Sequence, residues 1–132
     1  MLTTNLTTGV LIRGATTIFE GARLANIDPT ETLQVSVFAF DWTSGSPVAL
    51  TLFTAPLVPV VNPISLAPNT SQFIFTADLS VLGVSSYEIR FVYPSDSDLV
   101  FNCYGLTALP PLLAIGLENI VLHSQLKNVE LV

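Results

Sequence analysis

The sequence predicts an all-β domain: an antiparallel jelly-roll or Greek-key β-sandwich of about eight strands with an extended N-terminal arm. Three observations lead there. Apolar residues make up 50% of the 132 positions and charged residues 11%, against roughly 25% charged in ordinary soluble proteins, so material for a core is ample. Threonine and valine, which suit a pleated backbone, are abundant, while methionine occurs once. Short apolar stretches also recur every 8–12 residues or so with turn formers between them, the spacing of sandwiches and jelly rolls.

The elements follow in order. Residues 1–9 carry threonines and no turn signal, and read as a connector arm, leaving 10–132 as one β-sandwich domain. Residues 10–13 form a short strand ending at Gly14, and residues 16–25 a longer one stopped by Asp28-Pro29. Residues 33–42 alternate most clearly, with Leu33, Val35, Val37 and Ala39 on one face. The opposite face starts polar at Gln34 and Ser36 and turns aromatic at Phe38, Phe40 and Trp42. Turn formers 43–47 then lead into a strand over 48–53, as in a hairpin. Pro56, Pro59 and Pro63 reduce 57–61 to an edge strand, because proline lacks the ladder donor. Strands over 72–77, 87–93 and 98–104 follow, with a loop over 79–85 and a polar turn after Pro94. In 87–93, Tyr87, Ile89, Phe91 and Tyr93 face inward, and Glu88, Arg90 and Val92 outward. Residues 106–115 form an apolar, proline-broken loop. Residues 117–123 fit strand or helix; Gly116 and the pair Ile120-Val121 favour strand. Residues 126–132 alternate as a final strand.

Charge excludes several functions. The net charge is −6, and the four basic residues Arg13, Arg23, Arg90 and Lys127 are scattered. No basic stripe exists to neutralise phosphates, and no basic amphipathic stretch to meet a membrane, so neither nucleic acid nor membrane is an expected partner. The uncharged runs 42–77 and 99–117 are broken by prolines and polar residues, unlike a spanning helix. The first residues lack the basic and apolar regions of a secretory signal, so synthesis without a signal peptide is expected.

Nothing in the sequence assembles a catalytic or cofactor site, and no enzyme activity and no cofactor or metal are expected. His123 is the sole histidine, and no Gly-x-Ser-x-Gly elbow surrounds a serine. Cys103, the sole cysteine, lies on an apolar strand face without a basic neighbour and reads as a small buried hydrophobe. Asp96 and Asp98 form a solvated turn without the further oxygens calcium needs. Glu88 and Arg90 share a strand face and read as surface charge pairs with a neighbouring strand. The strand aromatics Phe38, Phe40, Trp42, Phe53, Phe73, Phe75, Phe91 and Tyr93 read as core or interface, with a carbohydrate groove as the rival.

What stands out is an excess of apolar strand over charge. Residues 48–53, 57–61 and 117–122 are apolar on both faces, although one face of an antiparallel sandwich ordinarily meets water. Lysines that guard sheet edges are missing apart from Lys127. A second copy of the chain is the expected cover. The arm is the expected donor of an added strand, with Leu2, Thr4, Leu6, Thr8 and Val10 at the subunit interface and Leu2 and Leu6 as anchors. Head-to-tail addition of this kind does not close and builds filaments. Residues 126–132 could play the same part. The rival functions are a virion jelly-roll protein (capsid or tail) and a carbohydrate-binding module.

The segments Phe40-Asp41-Trp42-Thr43-Ser44-Gly45-Ser46-Pro47, Leu66-Ala67-Pro68-Asn69-Thr70-Ser71 and Tyr87-Glu88-Ile89-Arg90-Phe91 resemble those of small spore-surface proteins from spore-forming Firmicutes. As an architecture the chain resembles the subunits of endospore appendage fibres, in which a short connector precedes a low-charge jelly-roll domain. The resemblance implies a pilus-like fibre on the spore surface, made of copies of this chain and joined by an anchoring or tip protein. Subunits of the best-known type cross-link through connector cysteines, whereas residues 1–14 here contain none. Cohesion would then come from strand addition and packing.

Overall fold

The computed structural model describes residues 2–107 and 119–128. Two antiparallel sheets pack face to face. The first runs β12 (Lys127–Asn128), β1 (Thr3–Thr7), β10 (Ser86–Pro94), β4 (Leu33–Asp41) and β5 (Val48–Leu50). In it, β2 (Leu11–Ile12) also pairs with β10, and β8 (Ile64–Leu66) with β4. The second runs β11 (Leu99–Leu106), β3 (Phe19–Asn26), β9 (Thr70–Thr76), β6 (Leu52–Thr54) and β7 (Val58–Pro59). The chain thus forms the expected β-sandwich, and many of its connections cross from one layer to the other.

Period-two alternation places the core. Leu6, Val35, Val37, Ala39, Ile89 and Phe91 of the first sheet meet Ala22, Leu24, Leu52, Ile74, Phe101 and Cys103 of the second. Between the layers the rings of Phe91 and Phe101 stack with centroids 4.4 Å apart and planes 8° from parallel. Tyr93 meets the edge of Phe101 at 5.3 Å. Such contacts add about 0.5–1.5 kcal/mol each beyond the area they bury.

Two strands lack a continuous neighbour, and side chains fill the breaks. Between β1 and β2, which lie on the same edge of β10, the Thr8 hydroxyl accepts the Ile89 amide at 3.0 Å. The Thr8 amide in turn donates to the Ile89 carbonyl at 3.0 Å, and Gly9 turns the chain at a φ of 71° that disfavours any side chain. Between β8 and β5 on β4, Asn62 plays the same part. Its Oδ1 accepts the Val37 amide at 3.0 Å and its Nδ2 donates to the Val37 carbonyl at 2.8 Å. Backbone groups that would otherwise stay unpaired are satisfied in both places.

Several expectations need correction. Residues 1–9 do not extend away as a connector: Thr3–Thr7 is β1, paired with β10 in the register Leu6↔Phe91 and with β12 at Leu6↔Asn128. Burying Leu6, which is 7% exposed, favours this by about 1.5–3 kcal/mol over a solvated arm. The strand expected over 48–53 is two strands, one in each sheet: β5 pairs with β4 and β6 with β9. Its two apolar faces reflect this passage between layers. The strand expected from residue 16 starts at Phe19, and β8 was hidden between prolines. Of the final strand expected over 126–132, Lys127–Asn128 forms β12, Leu126 ends the 3-10 turn before it, and 129–132 lie outside the described residues. Of residues 117–123, Val121 forms a single bridge to Cys103, and His123–Gln125 is a 3-10 turn. The loop expected over 106–115 lies mostly outside the described residues.

One inward position is charged by type. Glu20 is 1% exposed and accepts the Tyr87 hydroxyl at 2.8 Å on Oε1, while its Oε2 has no hydrogen-bond partner among the described residues. Burial pushes its carboxyl well above the usual range, against the Tyr87 hydrogen bond, so the neutral acid is favoured. Both folded and unfolded chains hold the proton at low pH. As pH rises past the ordinary glutamate value of about 4.3 the unfolded chain ionises first and stability falls. Glu20→Gln removes that loss. The melting temperature of the variant relative to the native protein is therefore expected to rise progressively from acid toward neutral pH, as thermal unfolding by circular dichroism would show; a pH-independent difference contradicts it.

Candidate functional site

The interface residues expected from the sequence divide along β1. Thr4 and Leu6 project toward the second sheet, and Thr8 closes the break described above. Thr4 Oγ1 lies 2.9 Å from Ser95 Oγ, and the Leu2 carbonyl accepts the Ser95 amide at 2.9 Å. The side chains of Leu2 and Val10 are exposed. Leu2 is therefore not an anchor within this chain, whereas Leu6 is, in a slot beside Phe91.

Facing away from the core, the first sheet carries a row of aromatics on and just beyond β4: Phe38, Phe40 and Trp42. Beside them on β10 lies Glu88, expected as a surface charge but only 3% exposed. Its Oε1 accepts the Trp42 indole N–H at 2.9 Å. Its Oε2 accepts the Arg90 Nε–H at 2.8 Å and the Thr7 hydroxyl. The expected pairing with a neighbouring strand is thus replaced by an ion pair two residues along the same strand. The Arg90 guanidinium also lies 5.1 Å from the Phe40 ring centroid. Burial opposes the charge on Glu88, but hydrogen bonds from Arg90, Thr7 and Trp42 and the Arg90 charge outweigh it and hold the carboxyl below its usual range. Thr7, Trp42, Glu88 and Arg90 join β1, the end of β4 and β10. Sequence gave no signal for this network, because its members lie 81 and 46 positions apart.

The outward face of the second sheet holds a separate cluster, in which Phe19, Phe75 and Leu106 are buried with Ile18, Phe53 and Phe73 around them. Gly21 lies under the Phe73 ring, where a Cβ would stand 2.2 Å from Cζ, and Arg23 sits 5.2 Å from the same ring. The aromatics considered for a carbohydrate groove are therefore divided between the core and two opposite outer faces.

Apolar side chains also stand exposed at the strand edges. They include Val48 on β5, Leu57 and Val58 beside and on β7, Val61, and Ile12 on β2. Asp96 occupies a turn at a φ of 68°. Among the described residues no three His, Cys, Asp or Glu side chains cluster to hold a metal. Cys103 is fully buried, and burial, reinforced by the nearby Glu20, raises its thiol well above the usual range. Among the described residues no helix is long and apolar enough to cross a membrane.

No protein-family model and no curated protein matches the chain. Among solved structures, the crystal structure of Thermotoga maritima 1070 is similar over 86% of this chain and 88% of that one, with 14% identity and a TM-score of 0.43.

Removal of the Glu88 charge has a predictable cost. Glu88→Gln leaves three donors competing for one oxygen and should lower stability by about 1–3 kcal/mol at neutral pH. The native carboxylate stabilises above its unfolded value, and that contribution is lost as pH falls through the lower folded value. The gap between variant and native protein in urea unfolding should hence narrow in acid. An equal gap at pH values either side of roughly 4 would contradict the assignment.

Proposed function

We propose that the protein is a structural subunit that associates with copies of itself by exchanging β1, building a fibre. The observation that carries this is the placement of β1. It supplies Leu6 to a slot in the core, pairs with β10 along its whole length, and joins the rest of the fold through Thr8, Gly9 and Val10. A neighbour's β1 can make the same contacts in the same register, so exchange costs little at equilibrium. Repeated in one direction, it gives an open chain of subunits. Exposed apolar residues at β5 and β7 supply lateral surfaces that water does not favour. The resemblance to endospore appendage subunits extends the reading to a fibre on the spore surface.

Negative-stain microscopy of the protein with and without residues 2–9 tests it. The full chain should form threads. The truncated chain should remain dispersed yet bind a synthetic peptide of residues 2–9, and excess peptide should shorten the threads of the full chain. A Leu6→Asp peptide should do neither. Threads of normal length from the truncated chain, a full chain that stays monomeric, or closed shells would each overturn the reading.

A further inference from the structure

The sandwich has two open sides, and they are closed differently. On one side the chain itself crosses between sheets, from β5 to β6 through Thr51. On the other side, residues 119–128 run as a strap from the edge of β11 to the edge of β1. Val121 exchanges both backbone hydrogen bonds with Cys103, at 2.8 and 3.0 Å. Lys127 and Asn128 then pair with Thr7 and Leu6.

Between these two attachments the strap is held by His123. Its Nδ1 accepts the backbone N–H of Phe101 at 3.0 Å, and its own amide donates to Asn102 Oδ1 at 3.0 Å. The ring centroid lies 5.6 Å from that of Phe101. An imidazole nitrogen that accepts a hydrogen bond carries no proton, so this contact exists only with the neutral ring. In the cation both nitrogens are donors, and Nδ1–H would point at Phe101 N–H.

We propose that protonation of His123 releases the strap from β11, so that mild acid opens this side of the sandwich. Among the described residues no carboxylate pairs with His123; on β3, Arg23 stands opposite Asn102 and Glu20 accepts the Tyr87 hydroxyl. On β11 the ionisable side chains are Cys103 and Tyr104, and on the strap Lys127; neither element carries a described carboxylate. On β10, Tyr93 packs on Phe101, whereas Glu88 is committed to Arg90, Thr7 and Trp42 on the outward face. On β1 the residues are Thr3–Thr7, none of them charged. The proposal concerns one chain and stands apart from the exchange of β1.

Amide hydrogen exchange of the whole protein, corrected for intrinsic rates, tests it across roughly pH 5 to 8, where histidine changes charge. Protection at Phe101, Cys103 and Val121 should fall about tenfold or more toward acid, while Ile89 and Val37 stay protected. His123→Asn offers an acceptor that does not titrate and should flatten the dependence. His123→Phe keeps a ring without an acceptor and should show low protection at both ends. Equal corrected protection of Phe101 in the native protein at both pH values overturns the proposal, whatever the variants do; so does a fall of the same size in His123→Asn.

Discussion

The stack of Phe91 on Phe101 is the contact on which the rest of the fold depends. Phe91 belongs to β10, the middle strand of the first sheet, and Phe101 to β11, the edge strand of the second, so their 4.4 Å approach ties that edge to the other layer. The chain between them is short: β10 ends at Pro94 and β11 begins at Leu99. Once the stack forms, β10 is bound to present one edge to β4 and the other to β1 and β2. Leu6 reaches the core because Phe91 is its register partner. His123 packs against Phe101 as well and extends the aromatic contact to the strap.

A second constraint is the shortage of charge. With few lysines to guard edges, the fold satisfies them with side chains that imitate a strand. Thr8 does so on β10, Asn62 on β4 and His123 on β11. These substitutions differ chemically. A hydroxyl and an amide keep their hydrogen-bonding character at any ordinary pH, whereas an imidazole does not. The three side chains therefore share the acceptance of a strand amide but are unequal in their response to conditions. Glu20 and Glu88 show a similar contrast for carboxylates. One is buried with a single hydroxyl partner and favours its neutral form; the other is surrounded by three donors and favours its charge.

Much of the sandwich was legible because alternation is a local property. Val35, Val37 and Ala39, and likewise Tyr87, Ile89 and Phe91, take the inward positions that period two assigns them. Proline's missing donor placed 57–61 at an edge, where β7 lies. The failures have physical causes too. An apolar run such as 48–53 looks the same whether a strand is covered twice in one sheet or passes from one sheet to the other. Residues 1–9 resemble a solvated arm because threonine is at home both in water and in a strand. Glu88 looked like a surface charge because its partners Thr7 and Trp42 are remote in sequence.

The amino-acid sequence by itself determined the fold class, the inward faces of the long strands, the buried state of Cys103 and the surplus of apolar surface. These follow from composition and from contacts between residues a few positions apart. The tertiary structure decided where the surplus lies, which strand β1 completes, and what His123 does. Those depend on register between segments distant in the chain, and register is settled by the fit of whole faces, such as Leu6 beside Phe91 and Val121 against Cys103.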